Sequence, residues 1–183
     1  MNPQAWWFVI RASGLVAYAL VSVTVIVGLL LSTRLVGRRP PPDWMLDWHR
    51  FVGGLGLVFT GLHLVSLLID NYIEFSPIDL FVPFVATWRP VALGLGVLAF
   101  YMALAVQLTS LVRHRIPAGW WRRFHYLSVP VFVLATVHLL LAGTDATHPL
   151  VLLTVGGLSA TILLLLWFRL PAPIGTAGST RRG

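Results

Sequence analysis

Five long apolar runs, separated by short polar or proline-containing segments, dominate the sequence. They fall at about 6–31, 48–70, 90–112, 123–143 and 149–169, and each reaches the roughly 20 residues that a helix needs to cross a bilayer core. The pattern predicts an all-α integral membrane protein, a bundle of about five transmembrane helices. The first run is too long for a secretory signal peptide and lacks a small-residue cleavage site, so it reads as a permanent helix. A further apolar stretch, NYIEFSPIDLFVPFVATW at 71–88, is too short and too broken by proline to span, and reads as an interfacial cap over one end. The Pro-, Gly- and Ser-rich tail divides the chain into a membrane domain at 1–170 and a disordered extension at 171–183.

Composition agrees with this pattern. The chain has 183 residues, 57% hydrophobic and only 10% charged, with a mean hydropathy of +0.84, which is foreign to soluble domains of this length. The absence of Cys excludes disulfides, iron–sulfur clusters, thiolate zinc sites and covalent haem attachment through CxxCH. A formal charge of +7 raises nucleic acid as a partner, but the placement of the charge argues against it. All 13 basic residues are Arg, and eleven of them (34, 38, 39, 50, 113, 115, 122, 123, 169, 181 and 182) fall on one side of the predicted spans. The positive-inside rule makes that side cytoplasmic, with the N-terminus outside and the C-terminal tail inside. Asp70, Glu74, Asp79 and Asp145 fall on the opposite side. The expected location is the cytoplasmic (inner) membrane, multi-pass, with lipid and not nucleic acid as the surrounding partner. All eight Trp lie near span ends, where amphipathic rings anchor in the headgroup zone.

Two spans echo each other. WHRFVGGLGLVFTGLHLVSLLID at 48–70 carries His49 and His63, 14 residues apart, and FHYLSVPVFVLATVHLLLAGTD at 124–145 carries His125 and His138, 13 apart. At 1.5 Å per residue each pair is separated by about 20 Å along its helix. Both spans run in the same direction, so His49 and His125 share an inner level and His63 and His138 an outer one. Intramembrane ionisable residues are read as functional by default, and imidazole is a common axial ligand of haem iron. Two b-type haems stacked between helices two and four account for both levels; interhelical hydrogen bonding is the alternative. Rotation supports the first pair, because 14 steps of about 100° return nearly to the starting face, whereas 13 steps leave His125 and His138 about 140° apart. Pro130 lies between the latter two, and a proline kink offers a way to bring both rings round. Gly53, Gly54, Gly56 and Gly61 thin helix two, suiting either close helix packing or a flat macrocycle. Zinc is the weaker reading, since two His per level falls short of its usual ligand set. His114 and His148 fall in loops and read as solvated.

The bis-His spacing, together with IRASGLVAYALVSVTVIVGLLLSTR at 10–34, WHRF, RRFHYLS and LLAGTD, resembles the ferric reductase-like transmembrane domain shared by NADPH oxidases, ferric reductases and smaller bacterial haem-binding membrane proteins. The resemblance runs from about residue 6 to 169. It implies that His49 and His125 hold an inner haem and His63 and His138 an outer one. It also makes Arg11 a candidate contact to the acceptor site or to a haem propionate. Arg11 is a cation inside an apolar span on the disfavoured side; Asp145 is a candidate to offset its desolvation, and snorkelling is the alternative. Arg50, Arg122 and Arg123 are candidate inner propionate contacts, with a solvated or lipid-phosphate role as the equal alternative. The oxidases carry a further outer His where this chain has Leu67, which counts against superoxide production. No GxGxxG fingerprint occurs in a strand–turn–helix context, so no flavin or NADPH site is expected within the chain. The function expected is a di-haem cytochrome b, an oxidoreductase component. Its donor would be a separate flavoprotein reductase or quinol on the cytoplasmic side, and its outer acceptor ferric iron, a quinone, a periplasmic reductase or oxygen. The alternatives are a b561-like quinol oxidoreductase and a cofactor-free transporter or assembly subunit.

Overall fold

A computed structural model describes residues 3–33, 35, 40–70 and 75–169. The expectations for Arg34, Arg38, Arg39, Glu74 and the tail at 171–183 lie outside the described residues. The described residues form the helices α1 (Pro3–Thr33), α2 (Pro42–Ile69), α3 (Pro77–Phe81), α4 (Pro90–Leu111), α5 (Ala118–His125), α6 (Ser128–Ala142) and α7 (Pro149–Arg169), with turns among the described residues between them. Five stretches are long and apolar enough to span: α1, α2, α4, α5 with α6, and α7.

Proline sets most of the starts. Pro42, Pro77 and Pro90 occupy the first turns of α2, α3 and α4, where a missing N–H costs nothing and the fixed φ is already helical. Within the spans, many hydroxyls bond back to their own helix. Ser13, Ser22, Thr24, Thr60, Ser66, Thr109 and Thr136 each donate to the carbonyl four residues back, as a bilayer interior without water demands.

Four helices form a ring in which α1 packs on α2, α2 on α4, α4 on α6, and α6 on α1, while α2 and α6 face each other with little direct contact. α7 lies outside against α1. The tight core sits on that side: Tyr18, Val25 and Leu29 meet Phe132 and Leu139 of α6 and Val155, Ile162 and Leu165 of α7. Tyr18 stacks on Phe132 at 6.0 Å, and its hydroxyl lies 3.2 Å from Thr136 Oγ1. The outward faces are apolar, with Leu153 73% and Trp167 72% exposed, as suits a surface solvated by lipid. The close packing is therefore displaced to one side, which leaves the ring open between its two His-bearing helices.

The fourth span is broken. α5 ends at His125 and α6 begins at Ser128. Pro130 has no N–H to give Tyr126, and its ring clashes with the carbonyl four residues back. Val129 N donates to Tyr126 O instead, at 3.3 Å, and Leu127 N donates to Phe124 O at 3.0 Å. The chain thus tightens at Tyr126–Leu127, one turn before the proline.

At the end opposite the Arg-rich loops, α3 is fastened by a capping box between Ser76 and Asp79. Both the Ser76 hydroxyl and its backbone N–H donate to the Asp79 carboxylate, and these bonds hold that exposed group below the usual carboxylate range. Beyond α3, Phe84 adopts φ 67°, an uncommon backbone for a bulky residue. Its ring lies over Gly94 of α4, where a side chain would collide with it.

Candidate functional site

Two of the span histidines, His49 and His63, sit on α2; of the other two, His125 ends α5 and His138 lies on α6, the two halves of the broken fourth span. At the Arg-rich end, the imidazoles of His49 and His125 have centroids 5.9 Å apart and planes inclined at 63°. Two imidazoles on opposite sides of one ion, with metal–nitrogen bonds of about 2 Å, place their centroids about 6 Å apart, a separation with which this pair is compatible. At the other end, His63 and His138 line one cavity of about 310 Å³, together with Tyr18 and Phe100. Among the described residues no group of three or more His, Asp or Glu converges. Each level therefore offers a pair of imidazoles with no third ligand converging on it, a donor set that suits an ion whose remaining positions are filled by a macrocycle.

Three of the rings are held by one device. His49 Nδ1 lies 3.0 Å from Thr24 O, His63 Nδ1 2.9 Å from Ile10 O, and His138 Nδ1 2.7 Å from Ala92 O. A carbonyl can only accept, so in each case Nδ1 carries the proton and Nε2 keeps its lone pair. This is how metal-ligating histidines are usually oriented. Four residues after each acceptor carbonyl stands a glycine, and the ring lies against it. A Cβ on Gly14 would be 3.1 Å from His63, one on Gly28 3.0 Å from His49, and one on Gly96 2.7 Å from His138. Gly14 and Gly28 are 14 residues apart, the same interval as His63 and His49 on the antiparallel neighbour.

These recess glycines escaped the sequence reading, which looked for small residues on the His helix itself. Gly53 and Gly56 of α2 instead pack against Thr24, Leu20 and Val21 of α1, and Gly61 has nothing within 4 Å. The detectable signal was on α1: a Gly pair at the interval of the His pair.

Arg11 meets Asp145 in a bidentate pair, with Nε 2.7 Å from Oδ2 and NH2 on Oδ1. It also stacks over Trp7 at 3.9 Å. Both charged residues line the His63–His138 cavity and are only 27% and 23% exposed, so the cation is matched before it enters the apolar layer. The cap forms part of the same wall through Phe75, Asp79, Leu80 and Trp88.

The Arg-rich end is built differently. His125 stacks on Trp121 at 5.0 Å and 26°, and Arg113 lies over that indole, 5.1 Å from its centroid. Arg50 reaches Asp47 at 3.5 Å in a largely exposed pair. Arg122 and Arg123 are exposed, the latter over Trp120 at 5.4 Å. Among the described residues the His114 and His148 side chains hydrogen-bond locally, to Arg115 and the Leu150 backbone. Three buried side-chain atoms lack a hydrogen-bond partner among the described residues: Ser110 Oγ, Trp121 Nε1 and His125 Nδ1.

Fold and site together define a multi-pass membrane protein whose bundle presents paired imidazoles at two depths. The family model described as ferric reductase like transmembrane component matches residues 13–136. The chain belongs to that family, whose transmembrane domains bind haem and transfer electrons. The matched region contains His49, His63 and His125 and stops two residues before His138; Arg11 precedes it. No curated protein and no solved structure matches the chain.

Proposed function

We propose that the chain is a di-haem b-type cytochrome that carries electrons across the cytoplasmic membrane. The observation that carries this reading is the pairing of imidazoles across the ring, 5.9 Å apart at one level and sharing a cavity at the other. His49 and His125 would ligate one haem, His63 and His138 the second. The haem iron supplies a one-electron couple when bound.

The protein's part is positional. Ile10, Thr24 and Ala92 carbonyls hold three Nδ1 protons, so that three Nε2 lone pairs remain for the metal. The apolar helices exclude water and lower the dielectric round each site. The Arg-rich end faces the cytoplasm, where exposed Arg50, Arg122 and Arg123 favour docking of an acidic donor such as a separate flavoprotein reductase; a quinol in the membrane is the other donor class. The Arg11–Asp145 pair borders the site of the outer acceptor, for which ferric iron, a quinone, a periplasmic reductase and oxygen are the candidates.

The test is a reduced-minus-oxidised absorption spectrum of the purified chain with haem quantified per polypeptide. The expected result is two low-spin b-type haems, with one lost in His63→Ala and the other in His125→Ala. A colourless protein after expression with ample haem refutes the proposal.

A further inference from the structure

His125 is the one ligand candidate whose Nδ1 meets no acceptor. We infer that Ser110 is its positioning residue, with the Ser110 hydroxyl accepting the Nδ1–H bond that a backbone carbonyl accepts at the other three histidines. This inference rests on the two-haem reading.

The register of α4 points to Ser110. On α1 the carbonyl-and-glycine recess occurs twice, at Ile10 with Gly14 and at Thr24 with Gly28, 14 residues further on. On α4 it occurs at Ala92 with Gly96. Fourteen residues on, the corresponding places are Val106 and Ser110, in the part of α4 that leads to α5, and α4 packs on α5. At Gly96 a Cβ would approach His138 Nδ1 to 2.7 Å. Ser110 has such a Cβ, so an imidazole at this level is held off the helix and the Val106 carbonyl passes out of its reach.

The unpartnered atoms point to the same residue. Of the three, Trp121 Nε1 is a donor only and His125 Nδ1 is to donate, so the Ser110 hydroxyl alone can accept. Ser110 is also the only buried hydroxyl without a partner among the described residues; Thr109 beside it bonds back to Ala105 O at 2.6 Å. Trp121 stacks on the imidazole, and the inferred bond requires the Ser110 hydroxyl and Nδ1 to close on one another. A rotatable hydroxyl then takes the place of a fixed carbonyl, which makes His125 a less electron-rich ligand than His138 and sets the two sites apart.

The test compares Ser110→Ala and Ser110→Gly in the full-length chain by haem content, low-spin electron paramagnetic resonance and redox titration. Ser110→Ala keeps the Cβ and removes the acceptor; haem affinity at the His49–His125 site should fall about 10–100-fold, the usual cost of losing such a partner. Any haem retained there should titrate at a more positive potential. Ser110→Gly opens the recess and lets Nδ1 reach Val106 O, so that site should keep its haem. A packing role predicts the opposite order, with Gly worse than Ala. The His63–His138 haem, unchanged in both variants, reports that the bundle is folded. Wild-type haem content and potential in Ser110→Ala, or a greater loss in Ser110→Gly, overturns the inference while the two-haem reading stands; a wild-type chain without haem overturns both.

Discussion

Replacing Gly96 by alanine adds one methyl group and should unseat a ligand. The new Cβ would stand 2.7 Å from His138 Nδ1 and 2.8 Å from Cε1, closer than real Cβ atoms come to such neighbours. The imidazole cannot back away and keep its 2.7 Å bond to Ala92 O, because that carbonyl belongs to the same helix face. Losing the bond leaves a buried N–H unpaired, at a cost of about 1–3 kcal/mol, and releases the orientation of Nε2, worth about 10–100-fold in metal affinity. The series is graded: Gly28→Ala places its Cβ 3.0 Å from His49 and Gly14→Ala 3.1 Å from His63, contacts that shifts of a few tenths of an ångström relieve. Gly61→Ala meets nothing within 4 Å and serves as the control. Haem per chain, measured as the pyridine haemochrome on purified protein, should fall most for Gly96→Ala, less for Gly28→Ala and Gly14→Ala, and not at all for Gly61→Ala. Full haem content in Gly96→Ala, or an equal fall in Gly61→Ala, would refute the recess argument.

Three further outcomes are expected. Arg11→Gln and Asp145→Asn should each lower the thermal unfolding temperature, by an amount equivalent to about 1–3 kcal/mol for a half-buried charge left without its partner; the double variant should cost no more than the worse single one, and simple additivity would show that the pair is not coupled. Arg50→Gln removes a pair whose side chains are 57% and 76% exposed, so stability should stay within about 0.5 kcal/mol and haem content should not change; a loss of haem would instead make Arg50 a propionate contact. Ser76→Ala should return the Asp79 carboxyl toward its ordinary value of 3.8. Since the folded value lies below that, the capping box contributes above pH 3.8 and is lost as pH falls through the depressed value; an unchanged Asp79 titration by NMR would refute the assignment.

The five spans were legible because about 20 consecutive apolar residues have few uses other than crossing a bilayer. Their ends were less so. α2 begins at Pro42, not near Trp48, since WMLD extends the helix into the interface where apolar content no longer marks it. The two His levels were read from spacing, and the span carrying the 13-residue pair, which a straight helix would splay, breaks at Tyr126–Leu127. Pro130 signalled that break, and the clash with the carbonyl four residues back places it one turn earlier than the proline itself. The Arg11–Asp145 pair was anticipated from the cost of an unmatched cation. Gly14, Gly28 and Gly96 were not, because a glycine in a membrane helix has many packing uses and only the tertiary neighbour selects among them. Ser110 was silent for a related reason: a serine in a span normally bonds to its own helix, and its exception appears only once the other hydroxyls are seen to be satisfied.

The matched intervals on α1 and α2 act as two rulers laid side by side. One residue inserted between Gly14 and Gly28 would turn the lower part of α1 by about 100° and carry Gly28 away from His49, while Gly14 and His63 stayed in register. The same insertion between His49 and His63 would also spoil one level and spare the other. Only paired changes of equal length in both helices keep both seats. The separation of the two levels is thus written twice in the chain, and neither copy can drift alone.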